Sequence, residues 1–221
     1  MPYRRARGFT LVELLVAISL MAVMAVMSWR GIDGMARAQE QTQVRGDAVL
    51  ALQLGLAQWT ADLDAVEAVA DLPGLAWDGR VLRLTRRGSA DSDHSLRVVA
   101  WTRRTVDGRS LWLRWQSLPL RQRADLQRAW QQATLWAHNP DETLRQQEVA
   151  IVPLADWQLF YFRQDAWTNP LSSDAGANPA TATRTGIPEG VRLVLELPSG
   201  PALAGLITRD WVRPTLGGNK S

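Results

Sequence analysis

Between Phe9 and Trp29 only Thr10, Glu13, Ser19 and Ser28 interrupt an otherwise apolar run. At ~1.5 Å rise per residue, about 20 such residues form a helix ~30 Å long, the thickness of a bilayer's hydrocarbon core. The pattern predicts a membrane-spanning helix over residues 9–30. From 31 to 70 the chain has no proline, and Val49, Leu52, Leu56, Trp59, Leu63 and Val66 recur at spacings of three and four. These form one apolar stripe at helical period. The heptad run is short, so the stripe reads as a helix face laid on its own domain rather than a coiled coil between chains. Gly31 and Gly34 offer a place for a bend just outside the bilayer. Leu72-Pro73-Gly74 reads as the stop, giving a helical continuation over 31–71.

Past this point the pattern shortens to β-rich runs separated by turn signals. Arg80–Arg86, Leu96–Arg103, Leu111–Gln116, Glu148–Val152, Trp157–Arg163, Val191–Leu197 and Ala204–Val212 are predicted strands. Asp78-Gly79 and Asp107-Gly108 are hairpin turns by composition. Residues 121–137 read as a helix carrying Ala124, Leu126, Ala129, Trp130 and Ala133 among Gln and Arg. Asn169–Gly186 is rich in small polar residues and reads as a long exposed loop. Together these predict an α+β fold, with a long amino-terminal transmembrane and periplasmic helix packed on an antiparallel β-sheet head over 72–213, then a polar tail over 214–221.

Length and charge refine the picture. At 221 residues the chain suits one head plus a separate element. The absence of cysteine excludes a disulfide framework, thiol chemistry and Cys-ligated zinc. The formal charge of +3 rests on Arg4, Arg5 and Arg7; without them 22 basic residues face 22 acidic ones. The remaining charges are interspersed, which argues against nucleic acid as a partner. Arginines ahead of the span and few just after it place the amino terminus in the cytoplasm and the head in the periplasm. A cleaved secretory signal would have a shorter apolar region and a small-residue exit, which this run lacks.

Glu13 is the exception within the span. An ionisable residue at the bilayer centre costs roughly 2.5–3.5 kcal/mol and marks a functional site. Glu13 lies one helical turn, about 6 Å, beyond Phe9, near the cytoplasmic interface where the cost is lower.

Arg7-Gly8-Phe9-Thr10-Leu11-Val12-Glu13-Leu14-Leu15-Val16-Ala17 resembles the processing site of type IV pilins and type II secretion pseudopilins. The resemblance implies a prepilin peptidase that cuts between Gly8 and Phe9, removing a leader of residues 1–8, and then N-methylates Phe9. Gly8 lacks a Cβ, so its backbone can enter a narrow protease cleft. The cut creates an α-amino cation on Phe9, which the Glu13 carboxylate of a neighbouring subunit could pair with during assembly. At ~4 Å and an effective dielectric near 20 this attraction is about 4 kcal/mol before desolvation. A plain signal anchor, with Gly8 and Glu13 there by accident, is the bland alternative.

Within that superfamily the chain is most similar to the minor pseudopilin J family. The similarity rests on Trp29-Arg30-Gly31-Ile32-Asp33, Gln58-Trp59-Thr60-Ala61-Asp62-Leu63, Phe160-Tyr161, Trp167, Ile187-Pro188 and Val191-Arg192-Leu193. Residues 118–147 lie outside it and read as an inserted segment. The resemblance implies a place at the tip of a type II secretion pseudopilus, with minor pseudopilins I, K and H, the major pseudopilin G and the inner-membrane assembly platform as partners. No cofactor is expected. A minor pilin of a type IV pilus, used for adhesion, motility or DNA uptake, is the alternative. The missing cysteine pair departs from the disulfide loop of many true pilins and favours the pseudopilin.

Rival chemistries find little support. The two histidines, in Asp91-Ser92-Asp93-His94 and His138-Asn139-Pro140-Asp141-Glu142, lack a second ligand motif and read as surface turns. No segment has the spaced oxygen ligands of a calcium loop, and no phosphate-binding loop, nucleophile elbow or His-Glu-x-x-His is present, so an enzyme is not expected. Eleven tryptophans could form a carbohydrate or cargo surface. Trp101, Trp112, Trp115 and Trp157 fall in predicted strands and read as core.

Overall fold

The computed structural model describes residues 8–69, 72–88, 95–163, 165–171, 187–200 and 202–214. Helix α1 runs unbroken from Leu11 to Asp64, straight through Gly31 and Gly34. The chain divides into two units, Met1–Gly46 and Asp47–Ser221, so the second unit begins inside α1. Within that second unit the helix stripe behaves as its spacing predicts: Leu52, Trp59 and Leu63 are buried, with Leu56 and Val66 packed against them.

The helix ends at Asp64, short of the predicted residue 71. Its continuation is captured by a sheet. The Arg87 amide donates to the Ala65 carbonyl at 3.0 Å, the Glu67 amide donates to the Thr85 carbonyl at 2.9 Å, and Val66 bridges Arg86. These backbone groups find partners outside the helix. No proline or glycine was needed to stop it.

One antiparallel sheet was expected, and the described residues form two. The first orders five strands in sequence, β1 (Leu75–Trp77), β2 (Val81–Arg87), β3 (Leu96–Val106), β4 (Arg109–Gln116) and β5 (Glu148–Pro153). The second has the order β7-β6-β8-β9, from β6 (Asp156–Arg163), β7 (Ala166–Thr168), β8 (Gly190–Leu197) and β9 (Gly205–Val212). The chain crosses between sheets at Leu154 and Ala155, whose amides bond Ser110 and Glu196 carbonyls. Asp107 and Gly108 take φ of 49° and 74°, the double left-handed geometry of a tight hairpin between β3 and β4.

Each face of the five-stranded sheet is covered. Leu82, Leu84, Val99, Trp101 and Trp112 meet α1 and the inner face of the second sheet in one core. Val81, Val98, Ala100, Leu113 and Trp115 face the other way, into a core closed by helix α2 (Arg123–His138) through Leu126, Ala129, Trp130, Ala133 and Trp136. Double-sided burial explains why β2 and β3 alternate only partly in sequence. The segment 118–147, with α2 and the short α3 (Glu142–Arg145), is therefore the third layer of the head. The predicted loop 169–186 and tail 214–221 fall almost wholly outside the described residues.

Candidate processing and assembly site

Residues Gly8, Phe9 and Thr10 precede the helix in non-helical backbone and are exposed. The helix starts at Leu11 rather than Phe9 because Thr10 caps it. The Glu13 amide donates to Thr10 Oγ1 at 3.3 Å, Thr10 Oγ1 donates to Glu13 Oε2 at 3.3 Å, and the Thr10 amide donates to the same carboxylate oxygen at 3.5 Å. The Leu14 amide donates to the Thr10 carbonyl at 3.2 Å, closing the first turn. Such a reciprocal box satisfies two of the amides that every helix start leaves open. It also sets the Glu13 carboxylate at the positive end of the helix dipole. Thr10 was missed as a site residue, although Thr10-Leu11-Val12-Glu13 is a capping-box signature in plain view.

The structure thus brings Glu13 and the Phe9–Thr10 peptide together. Among the described residues it offers no reason for glycine at position 8: a Cβ added there would meet none of their atoms within 4 Å. Beyond Glu13 the helix surface is apolar and bare. Leu14, Leu15, Ile18, Leu20, Met24 and Met27 are all more than half exposed, and Ser19 spends its hydroxyl on the Leu15 carbonyl at 2.8 Å. α1 is the one helix among the described residues long and apolar enough to cross a membrane. This fits a single-pass anchor.

The head has a second polar centre, which the sequence did not reveal. Asp62 is fully buried, and Arg86 and Arg114 converge on it. Arg86 Nη1 reaches Oδ1 at 2.5 Å, Arg114 Nε and Nη2 reach Oδ2 and Oδ1 at 2.7 and 2.8 Å, and Trp101 Nε1 donates to Oδ2 at 3.0 Å. Gln58 adds a further bond from the preceding helical turn. This cluster is saturated within its own chain, so it ties helix to sheet and leaves no open position for a ligand. Elsewhere, burial pushes the Tyr161 hydroxyl pKa up, with Arg163 opposing, and that hydroxyl has no partner among the described residues. Burial lowers the Arg83 pKa against the opposing pull of Asp78. At the surface, the hydrogen bond from Arg192 holds the Asp210 carboxyl below its usual range.

The rival sites resolve individually. His138 is exposed on α2 with Nδ1 2.9 Å from the Thr134 carbonyl, and Asp141 caps α3 by accepting from the Leu144 amide at 2.8 Å. His94 and its acidic neighbours lie outside the described residues. Among the described residues no cluster of three or more His, Cys, Asp or Glu could hold a metal. Trp101, Trp112, Trp115 and Trp157 are buried, as are Trp59, Trp130, Trp136 and Trp211.

Residues 3–29 match the prokaryotic N-terminal methylation motif. That match supports a type IV pilin-like protein. It implies processing by a prepilin peptidase and membrane assembly, and spans the whole of Gly8–Glu13 and the bare apolar turns that follow. A search of the curated proteins finds no match to the chain. A pilin-like reading agrees with the architecture, a long apolar amino-terminal helix followed by an antiparallel head.

Proposed function

We propose that the chain is a minor pseudopilin of a type II secretion pseudopilus, made as a precursor, cut between Gly8 and Phe9, methylated on Phe9 and inserted at the tip of the fibre. The methylation motif over residues 3–29 supports the pilin-like, processed-precursor part of this reading. Hydrolysis of the Gly8–Phe9 peptide leaves a carboxylate on Gly8 and an ammonium on Phe9. Glu13, the one acidic residue between Phe9 and Trp29, is the partner available to that ammonium in a low-dielectric setting. Gly8 fits a role in peptidase recognition because nothing among the described residues demands glycine there.

In this proposal the anchor crosses the inner membrane once and the head stands in the periplasm. The head acts by fitting neighbours and needs no catalytic group. Its partners are minor pseudopilins I, K and H, the major pseudopilin G and the assembly platform. The absence of cysteine supports a pseudopilin over a disulfide-looped pilus subunit. Co-purification of a tagged chain after cross-linking in its native host tests the choice. Recovery of pseudopilins I and K is expected; recovery of type IV pilus subunits in their place would assign the chain to a pilus instead.

A further inference from the structure

Trp29 and Arg30 stand where the apolar run of α1 gives way to charge. Trp29 is 74% exposed, and Arg30 is exposed with no ion-pair or hydrogen-bond partner among the described residues. Asp33, the carboxylate one turn on, is already taken: Arg37 Nη2 holds its Oδ2 at 2.7 Å. The charges at Asp33 and Arg37 therefore cancel, and the guanidinium of Arg30 is left open.

Between Glu13 and Arg30, residues 14–29 carry no charge. At ~1.5 Å per residue this stretch is about 24 Å long, about 6 Å short of a ~30 Å hydrocarbon core. One flanking charge is drawn towards the hydrocarbon, and the end with the stronger hold on its interface decides which. In the processed chain the inner end has lost Arg4, Arg5 and Arg7, and the Phe9 ammonium and Glu13 carboxylate sum to zero charge. The outer end has a guanidinium, whose parallel N–H donors match phosphate, beside an indole suited to the boundary between acyl chains and headgroups.

We propose that Trp29 and Arg30 form a lipid-headgroup site. Arg30 binds phospholipid phosphate on the head side of the membrane, Trp29 packs at the same level, and together they fix the depth of α1 so that Glu13 is the charge drawn in. The inference rests on the proposed reading of a processed, single-pass anchor with its head in the periplasm. Charge complementarity names the occupant, a surface of phosphates facing a cation that has no counter-ion in the described chain. Beyond Arg30, Gly31, Ile32, Gly34, Met35 and Ala36 are uncharged. Without Arg30 the uncharged stretch runs on through Ile32 to about 28 Å, and the helix sinks by one turn.

The chain has no cysteine, so one introduced thiol reports depth without background. The processed full chain carrying Ile32→Cys is reconstituted in vesicles of phosphatidylethanolamine and phosphatidylglycerol and labelled with a membrane-impermeant maleimide. Each rate is taken relative to the same chain in detergent, and Gln41→Cys in a parallel sample gives the fraction of chains with the head side outward. Mass and resistance to alkaline extraction are read first: a chain that keeps residues 1–8, or that leaves the membrane, removes the underlying reading before any thiol is labelled. Arg30→Leu is expected to slow Ile32→Cys labelling about fivefold, the ratio that one basic residue near an anionic lipid surface contributes. Arg30→Lys, which keeps a cation, should stay close to the native rate, and Trp29→Ala should slow labelling by a smaller factor. Equal rates for the native and Arg30→Leu chains, or Arg30→Lys as slow as Arg30→Leu, overturn the site, and an unchanged Trp29→Ala rate strikes Trp29 from it. A slowing absent from vesicles and present only in native membranes would put a protein carboxylate on Arg30 and overturn the lipid assignment.

Discussion

Arg114 grips both carboxylate oxygens of Asp62, with Nε 2.7 Å from Oδ2 and Nη2 2.8 Å from Oδ1. Asp62 belongs to the last turns of α1 and Arg114 to the middle of β4, so this fork joins the helix to the sheet. Parallel, charge-assisted bonds of this kind fix orientation as well as adding energy. Arg86 completes the charge pattern, two guanidinium groups around one fully buried carboxylate.

Removing Asp62 therefore strands two cations in the head. We expect Asp62→Ala to lower the stability of the second unit by about 3–5 kcal/mol, the range for one lost partner of a buried pair. Thermal unfolding of the detergent-solubilised full chain, followed by tryptophan fluorescence, checks this. A change comparable to a surface substitution would show that the pair adds little.

Gly55 gives a second test of the helix–sheet contact. A Cβ there would sit 2.3 Å from Ile151 Cγ2 and 3.2 Å from the Trp112 ring. Overpacking of this sort costs about 1–3 kcal/mol. Gly55→Ala should destabilise by that amount, and Ile151→Ala in the same chain should offset part of the loss. The double-mutant cycle measures it: additive effects would mean that the two residues do not touch.

Much of this head was legible from pattern. The strands from Val81 to Val212 begin and end within a few residues of their apolar runs, and Asp107-Gly108 turns as its composition requires. Strands β1 and β7 were missed because three residues cannot show a period. The division into two sheets and the helix end at Asp64 depend on pairings between distant segments, which a local reading cannot supply. Asp62 finds Arg86, Trp101 and Arg114 at 24, 39 and 52 residues along the chain, so nothing near Asp62 announces its role. The proposed processing site is the opposite case. Gly8, Phe9 and Glu13 are read from one short motif, and Thr10 was readable by the same spacing rule.

Tyr161 predicts an alkaline limit. Its folded pKa is raised by burial above the ordinary value of 10.0, so its contribution is full below about pH 10 and is lost as pH rises through the folded pKa. Tyr161→Phe should flatten the loss of stability above pH 10. At neutral pH it should be neutral or stabilising by up to ~1 kcal/mol, because an unbonded buried hydroxyl is removed. The two tyrosines are Tyr3 and Tyr161, so tyrosinate absorbance of the processed chain reports Tyr161 alone. An ordinary titration near pH 10 would contradict the burial.

The two ends of the processing motif should separate by mutation. Gly8→Val is expected to block leader removal, and Glu13→Val to be cut yet fail to enter the assembly. Immunoblots for leader removal and cross-linking for incorporation read the two steps independently. A normally processed Gly8→Val chain would refute the role given to Gly8.

The mass of the native protein, purified from membranes of its own host, tests the central claim most directly. The account predicts a chain that begins at Phe9 and carries one added methyl group on its amine. A chain that still holds residues 1–8, or one shortened elsewhere and unmethylated, would contradict it.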